Sequence, residues 1–235
     1  MATKFHFLST GAIAAPTNPG FDAAWEQTGA ATRLPMELAG RHSALTAQTV
    51  SGAITIPITT TQDILCYQFT SNEVFHPVRF GTDCLFRMVI RCAENATTNN
   101  AHLAYLLKAV SPDGGTSFGT LASNFATSTE YPLTASRATR ILPTAGAGTA
   151  LTALALNKAF RLVLEVGTRA NAPTAAGSYT LSIGNSGASD HLFTAAVTTD
   201  LNAWFDLTYN LDALKLVNYQ QAHCRGMSVN PALLR

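Results

Sequence analysis

The sequence predicts an all-β protein, a jelly-roll-like antiparallel β-sandwich with extended N- and C-terminal arms. Three observations predict it. Apolar residues recur with a period of two along several short stretches. Clusters of Gly, Asn, Asp and Pro separate those stretches, and such clusters supply turns. No long stretch carries the 3.6-residue stripe of an amphipathic helix.

The elements follow in chain order. Pro16, Pro19 and Pro35 keep the N-terminal region extended, because proline fixes φ and biases the preceding residue away from helix. Asp22 to Thr28 reads as a short helical turn. Val50 to Ile58 and Ile64 to Thr70 are strand candidates. The clearest strand runs from Cys84 to Cys92: Phe86, Met88, Ile90 and Cys92 share one face, and Arg87 and Arg91 point the other way. His102 to Val110 follows. In Phe160 to Val166 the outward residues are Arg161 and Glu165. Ser178 to Gly184, Leu192 to Thr198 and Ala203 to Tyr209 complete the set, the last placing Phe205, Leu207 and Tyr209 together. Turns fall at Pro112-Asp113-Gly114-Gly115, Asn171-Ala172-Pro173 and Gly184-Asn185-Ser186-Gly187. Thr134 to Asn157 reads as an irregular loop or linker. Asp212 to Cys224 fits either a helical stripe or an alternation. Residues 1–211 are expected to form one β-sandwich domain that includes the N-terminal arm, and 212–235 a C-terminal extension.

Composition narrows the function. The 235 residues carry 15 Lys+Arg against 14 Asp+Glu; only 12% are charged, while 47% are hydrophobic. A disordered chain needs low hydrophobicity and high net charge, and this one has neither. A net charge of +1 lacks the basic footprint of a nucleic-acid binder. Alanine and threonine stand where charges usually do. A neutral surface keeps monomers apart poorly, so contact with partners is expected to cover much of it. Cys66, Cys84, Cys92 and Cys224 form no CxxC pair and read as reduced core residues. Met1 to Ala15 makes a poor signal peptide, since His6, Ser9, Thr10 and Gly11 interrupt its apolar run. The longest uncharged stretch, Ile141 to Asn157, holds Pro143 and falls short of a membrane span. No membrane partner is expected.

Chemistry-bearing motifs are scarce. The histidines (His6, His42, His76, His102, His191, His223) have no common ligand spacing, so no metal is expected. Asp190-His191 beside Ser186 suggests a triad by composition only, since Ser186 lies outside a GxSxG elbow. Gly146-Ala147-Gly148-Thr149-Ala150-Leu151 lacks the third glycine and the βαβ context of a dinucleotide loop. No cofactor and no enzymatic activity are expected. Trp25 and Trp204 could serve as sugar platforms, but both sit within apolar patterns that read as core. Arg87 and Arg91 are the one compact basic feature. They read as a solvated face, a cross-strand ion pair or an inter-subunit salt bridge, and so count as interface candidates. The C-terminal stretch from Gly226 to Leu234 adds four apolar ones, Met227, Val229, Leu233 and Leu234, expected to lie against a neighbouring subunit.

An ordered set of phrases carries a resemblance: Phe21-Asp22-Ala23-Ala24-Trp25-Glu26, then Val110-Ser111-Pro112-Asp113-Gly114-Gly115-Thr116, Phe160 to Arg169, Leu181 to Gly187, and Ala203-Trp204-Phe205-Asp206-Leu207. The chain resembles a family of tailed-bacteriophage virion structural proteins in which an FDxxWE-like start, a VSxDGxT turn, an LVxExGxR strand and a terminal W-hydrophobic-acid strand recur in that order. The resemblance spans roughly residues 5 to 211; residues 121–156 and 212–235 have no matching phrase. It implies a non-enzymatic β-sandwich in the virion, assembled in the host cytoplasm, with no catalytic residues to carry over. On that reading the chain decorates and cements the capsid as a homo-oligomer, a trimer by capsid symmetry, bound to the major capsid protein or other virion proteins. A neck, tail or fibre component is the alternative within the virion, and a carbohydrate-binding module the alternative outside it.

Overall fold

The computed structural model describes residues 2–9, 19–29, 31–38, 49–50, 54–56, 60–75, 77–126, 130–131, 133, 138–142, 148–183, 189–193, 202–209 and 211. The chain is all-β, and among these residues no helix reaches two turns.

The period-two stretches become the frame. Four strands of ten residues dominate: β5 (Gln62–Ser71), β7 (Leu85–Glu94), β8 (Ala101–Val110) and β13 (Arg161–Ala170). Around them lie β1 (Thr3–Phe7), β2 (Thr32–Leu38), β3 (Thr49–Val50), β4 (Ile54–Ile56), β6 (Val78–Phe80), β9 (Ser117–Asn124), β10 (Ala138–Leu142), β11 (Thr149–Ala150), β12 (Leu154–Leu156), β14 (Gly177–Ile183) and β15 (Trp204–Leu207). Thirteen strands share one sheet, in the order β3-β14-β7-β15-β1-β2-β5-β13-β8-β9; β10 and β11 also pair with β7, and β4 with β14. β6 and β12 make a separate two-stranded sheet.

The large sheet folds over on itself, turning at the β1–β2 pair. One layer, β2-β5-β13-β8-β9, then faces the other, β1-β15-β7-β14. Aromatic rings meet between them: Phe86 stacks on Tyr105 at 4.6 Å and Phe7 on Phe69 at 4.5 Å. Buried tyrosines need a hydrogen-bond partner, and these reach across the core. Tyr179 Oη donates to the Ile64 carbonyl at 3.4 Å, and Tyr131 Oη lies 2.9 Å from Thr168 Oγ1. The open side nearly closes into a barrel, because Leu151 N donates to Cys84 O at 2.9 Å and Thr152 N to Leu121 O at 2.7 Å.

The expected strands over 84–92, 160–166, 178–184 and 203–209 are present, displaced at their ends by a few residues. Four features depart from expectation. First, the sheet is mixed, because β2 pairs with β5 in parallel. The chain between them visits the opposite layer as β3 and β4 on β14, and such a crossover returns it in the same direction. Second, Asp22 to Thr28 is no helix. Its backbone is drawn onto β5 instead, with the Glu26 and Gln27 amides donating to Asp63 O at 2.9 and 3.2 Å. Third, the stretch over 134–157 supplies β10, β11 and β12. Fourth, Leu192 and Phe193 lie outside any strand; 194–198 fall outside the described residues.

The extended N-terminal region is worked into the body. β1 is an interior strand between β15 and β2. Pro35 lies one residue outside the β1–β2 ladder, where its missing N–H breaks no rung of that ladder. Cys66, Cys84 and Cys92 are buried and reduced, and burial pushes the Cys84 thiol up to about 11. Cys224 lies outside the described residues.

Gly167 marks where the outer face of the larger layer is covered. It follows the register shift at Val166 and Gly167, and a Cβ there would meet the Ile64 carbonyl oxygen at 2.1 Å and Trp25 Cζ3 at 2.7 Å. Backbone cannot retreat from such a clash as a flexible side chain can. Gly167→Ala is expected to cost about 1–3 kcal/mol, as core overpacking does. It should also red-shift the Trp25 fluorescence, as the indole is pushed off the sheet.

Candidate functional site

Each layer of the sandwich carries a non-strand segment across its outer face, and the polar chemistry of the described residues concentrates beneath those two segments.

The first is a strap, residues 19–29, lying over β5, β13 and β8. Trp25, 5% exposed, packs with Leu65 and Ala104, and Phe125 meets its ring edge-on at 4.8 Å. Beneath the strap sits Glu165, fully buried. The alternation correctly put it on the outward face of β13, but the strap covers that face. Burying a carboxylate is costly unless it is paired and hydrogen-bonded, and Glu165 is both. Trp25 Nε1 donates to Oε2 at 2.8 Å, Gln68 Nε2 to Oε1 at 2.9 Å, and the Asp22 amide to both oxygens at 3.2 Å. Lys108 Nζ lies 3.0 Å from Oε1, with its side chain 5% exposed. The same Nζ donates to Gly20 O at 3.1 Å and stands 3.8 Å from Asp22 Oδ2. Arg33 closes the edge: its Nε donates to Gln68 Oε1 at 3.1 Å, and its guanidinium lies 3.9 Å from the centre of the Phe21 ring.

A cleft of about 230 Å³ opens beside this nest, between the strap at Pro19–Ala23 and the turn at Gly114–Gly115, with Lys108 at its wall. The turn is rigid. Asp113 accepts hydrogen bonds from the Ser111 hydroxyl and from the Gly115 amide, which hold its carboxyl below the usual range. Gly114 takes a φ of 73°, in the left-handed region.

The second segment is a clasp, residues 189–193, on the face formed by β1, β15 and β7. Asp190 is its anchor. Lys4 Nζ donates to Oδ2 at 2.8 Å, His6 Nε2 lies 2.8 Å from Oδ1, and Asn202 Nδ2 donates to Oδ1 at 3.1 Å. Trp204 Nε1 donates to the His191 carbonyl, and Phe193 leans on the Trp204 ring. Partial burial alone would raise the Asp190 carboxyl; the hydrogen bonds from His6 and Lys4 outweigh it and hold the group far below the ordinary carboxylate range. A carboxyl depressed by folding stabilises the fold above its unfolded value and loses that contribution as pH falls toward the folded one. The clasp is therefore expected to hold above about pH 4 and to loosen below it. In a thermal-melt series, wild type should exceed Asp190→Asn at neutral pH, and the gap should shrink as the solution is acidified below about pH 4.

The residues singled out in the sequence are placed as follows. Arg87 engages Asp206, its direct cross-strand neighbour on β15, with Nε donating to Oδ1 at 2.9 Å. Arg91 is on the same strand, 9% exposed, opposite Ser182 of β14. The tail residues Met227, Val229, Leu233 and Leu234 lie outside the described residues. Trp204 is 3% exposed and Trp25 5%, so both are core residues, as their apolar patterns read, and neither presents a face on which a sugar could stack. Ser186 also lies outside the described residues, while Asp190 is committed to the clasp. Gly148 leads into β11, where a Cβ would meet Leu85 Cβ at 2.8 Å, so this glycine serves close strand packing. Among the described residues, no three His, Cys, Asp or Glu side chains are grouped to hold a metal. No described helix is long and apolar enough to cross a membrane.

Sequence reasoning missed Lys108 and Gln68. Gln68 stands opposite Glu165 in the β5–β13 register. A polar residue recurring at one level of neighbouring apolar strands was the available signal. No protein-family model matches the chain, and no curated protein matches it.

Proposed function

We propose that the protein is a bacteriophage virion structural component, a capsid decoration or cement protein that bridges neighbouring capsid subunits. One observation carries the reading beyond the ordered phrases: several of the few charges are spent on one another within the chain. Lys4 pairs with Asp190, Arg87 with Asp206, Lys108 with Glu165 and Arg169 with Asp63. Arg161 is turned to the carbonyls of Pro112 and Ser71. A chain already poor in charge thus neutralises part of what it has within itself. Permanent interfaces are depleted of charge at their centres, and a subunit buried in a lattice has that need. The bound shell would be stabilised by mass action alone. Met227, Val229, Leu233 and Leu234 supply apolar contacts to a neighbour on this reading.

Electron microscopy of purified particles tests it. Density for the β-sandwich at regular positions over the shell, with a copy number matching the capsid lattice, is the expected result. A single ring at the portal or tail would transfer the protein to the neck or tail. Absence from the particle would overturn the virion reading altogether.

A further inference from the structure

We propose that Lys108 and Asp22 condense into an intramolecular isopeptide bond, with Glu165 carrying the proton, so that the strap is fixed covalently to β8. The inference rests on side-chain geometry alone and holds whatever the protein's place in a particle.

The three groups form a triad under the strap, with Lys108 and Glu165 buried and Asp22 partly exposed at the cleft. Lys108 Nζ stands 3.0 Å from Glu165 Oε1 and 3.8 Å from Asp22 Oδ2. Two carboxylates thus flank one amine, and they play different parts. Glu165 receives donors on both oxygens, from Trp25, Gln68 and the Asp22 amide. It is held rigidly with an oxygen aimed at Nζ, as a proton acceptor must be. The side chain of Asp22 is held more loosely: Oδ1 accepts from the Ala24 amide at 3.1 Å, and Oδ2 lies beyond hydrogen-bond distance of the amine. With Oδ2 3.8 Å from the amine, a rotation of the Asp22 side chain would bring its carboxyl carbon to the amine lone pair.

The step balances. The Lys108 ammonium passes one proton to Glu165 Oε1, and its lone pair attacks Cγ of Asp22. The Nζ–Cγ bond forms and one Cγ–O bond breaks. The departing oxygen leaves as water, carrying the proton that Glu165 returns and a second one from Nζ. Glu165 ends as it began, and nothing is oxidised or reduced. Trp25, Leu65, Ala104 and Phe125 shield the nest from bulk water, while the cleft lined by Asp22 and Lys108 lets the product water escape. The product replaces the ammonium and the Asp22 carboxylate with a neutral amide, while Glu165 keeps its donors from Trp25, Gln68 and the Asp22 amide.

Mass spectrometry of the full chain tests the proposal. The denatured protein, after any loss of Met1 is allowed for, should be lighter than its sequence by one water. Trypsin should yield a branched peptide joining 5–33 to 92–137, uncut after Lys108. Full sequence mass with normal cleavage after Lys108 would overturn the proposal. So would water loss confined to Asp113-Gly114, which marks a succinimide, or a branch joining 92–137 to 162–169, which would make Glu165 the electrophile. Asp22→Ala should abolish the branch. Glu165→Gln, with folding checked by circular dichroism, should slow its formation by roughly 10²-fold or more; an unslowed branch would overturn the role given to Glu165.

Discussion

Glu165→Ala is expected to destabilise the fold by about 3–5 kcal/mol, because without its proton carrier Lys108 stays an uncondensed ammonium, buried without its nearest partner. The truncation leaves the Lys108 ammonium facing an empty space, and it strips the acceptor from Trp25 Nε1, from Gln68 Nε2 and from the Asp22 amide. Each unmet buried donor adds its own desolvation penalty. For a chain of this size the melting temperature should fall by roughly 10 °C. Equilibrium denaturation read by tryptophan fluorescence measures the loss, because Trp25 sits at the damaged place. The double variant Glu165→Leu with Lys108→Met should recover part of it, since an apolar pair leaves no charge stranded. A double variant no better than Glu165→Ala would mean that the stranded ammonium contributes little and the lost acceptors most.

Phe205→Ala is the other large effect, at about 3–5 kcal/mol. Phe205 is fully buried and joins three rings from two other strands: it stacks on Phe5 at 4.7 Å, approaches Phe7 at 6.1 Å and Phe86 at 5.8 Å. Its removal opens a cavity where β1, β15 and β7 meet, and the sheet cannot collapse to fill it without breaking two ladders. Urea denaturation should show a lower midpoint with little change in slope. A loss below about 1 kcal/mol would mean that the site relaxes and that the aromatic stack is not what holds β15 in place.

The parity of the strands was legible and their coverage was not. Alternation alone assigned Phe86, Met88 and Ile90 to the inside of β7, and Arg87 to the outside. It also put Glu165 outside, and in the sheet it is. What hides Glu165 is the strap, which arrives from more than a hundred residues away, and period-two reasoning carries no information about a second layer laid on a strand's polar face. β9 escaped notice because Ser117 to Asn124 is polar and lies at the end of the sheet order, where few apolar residues are needed. β1 was hidden by the same Phe and Leu run that invites comparison with a signal peptide. Of the candidate site, the sequence contained every residue but no local sign of their meeting: Asp22, Lys108 and Glu165 come from three distant stretches.

The position of β1 bears on how the molecule forms. Residues 3–7 leave the ribosome about two hundred residues ahead of their neighbour on one side, residues 204–207. Until that late stretch has left the ribosome, β1 has one bare edge and β7 lacks β15. Pairings so far apart in sequence make folding slow, and an unpaired edge carrying Phe5 and Phe7 invites association with other chains. Folding yield should therefore depend on crowding and temperature during synthesis far more than the finished protein's stability does.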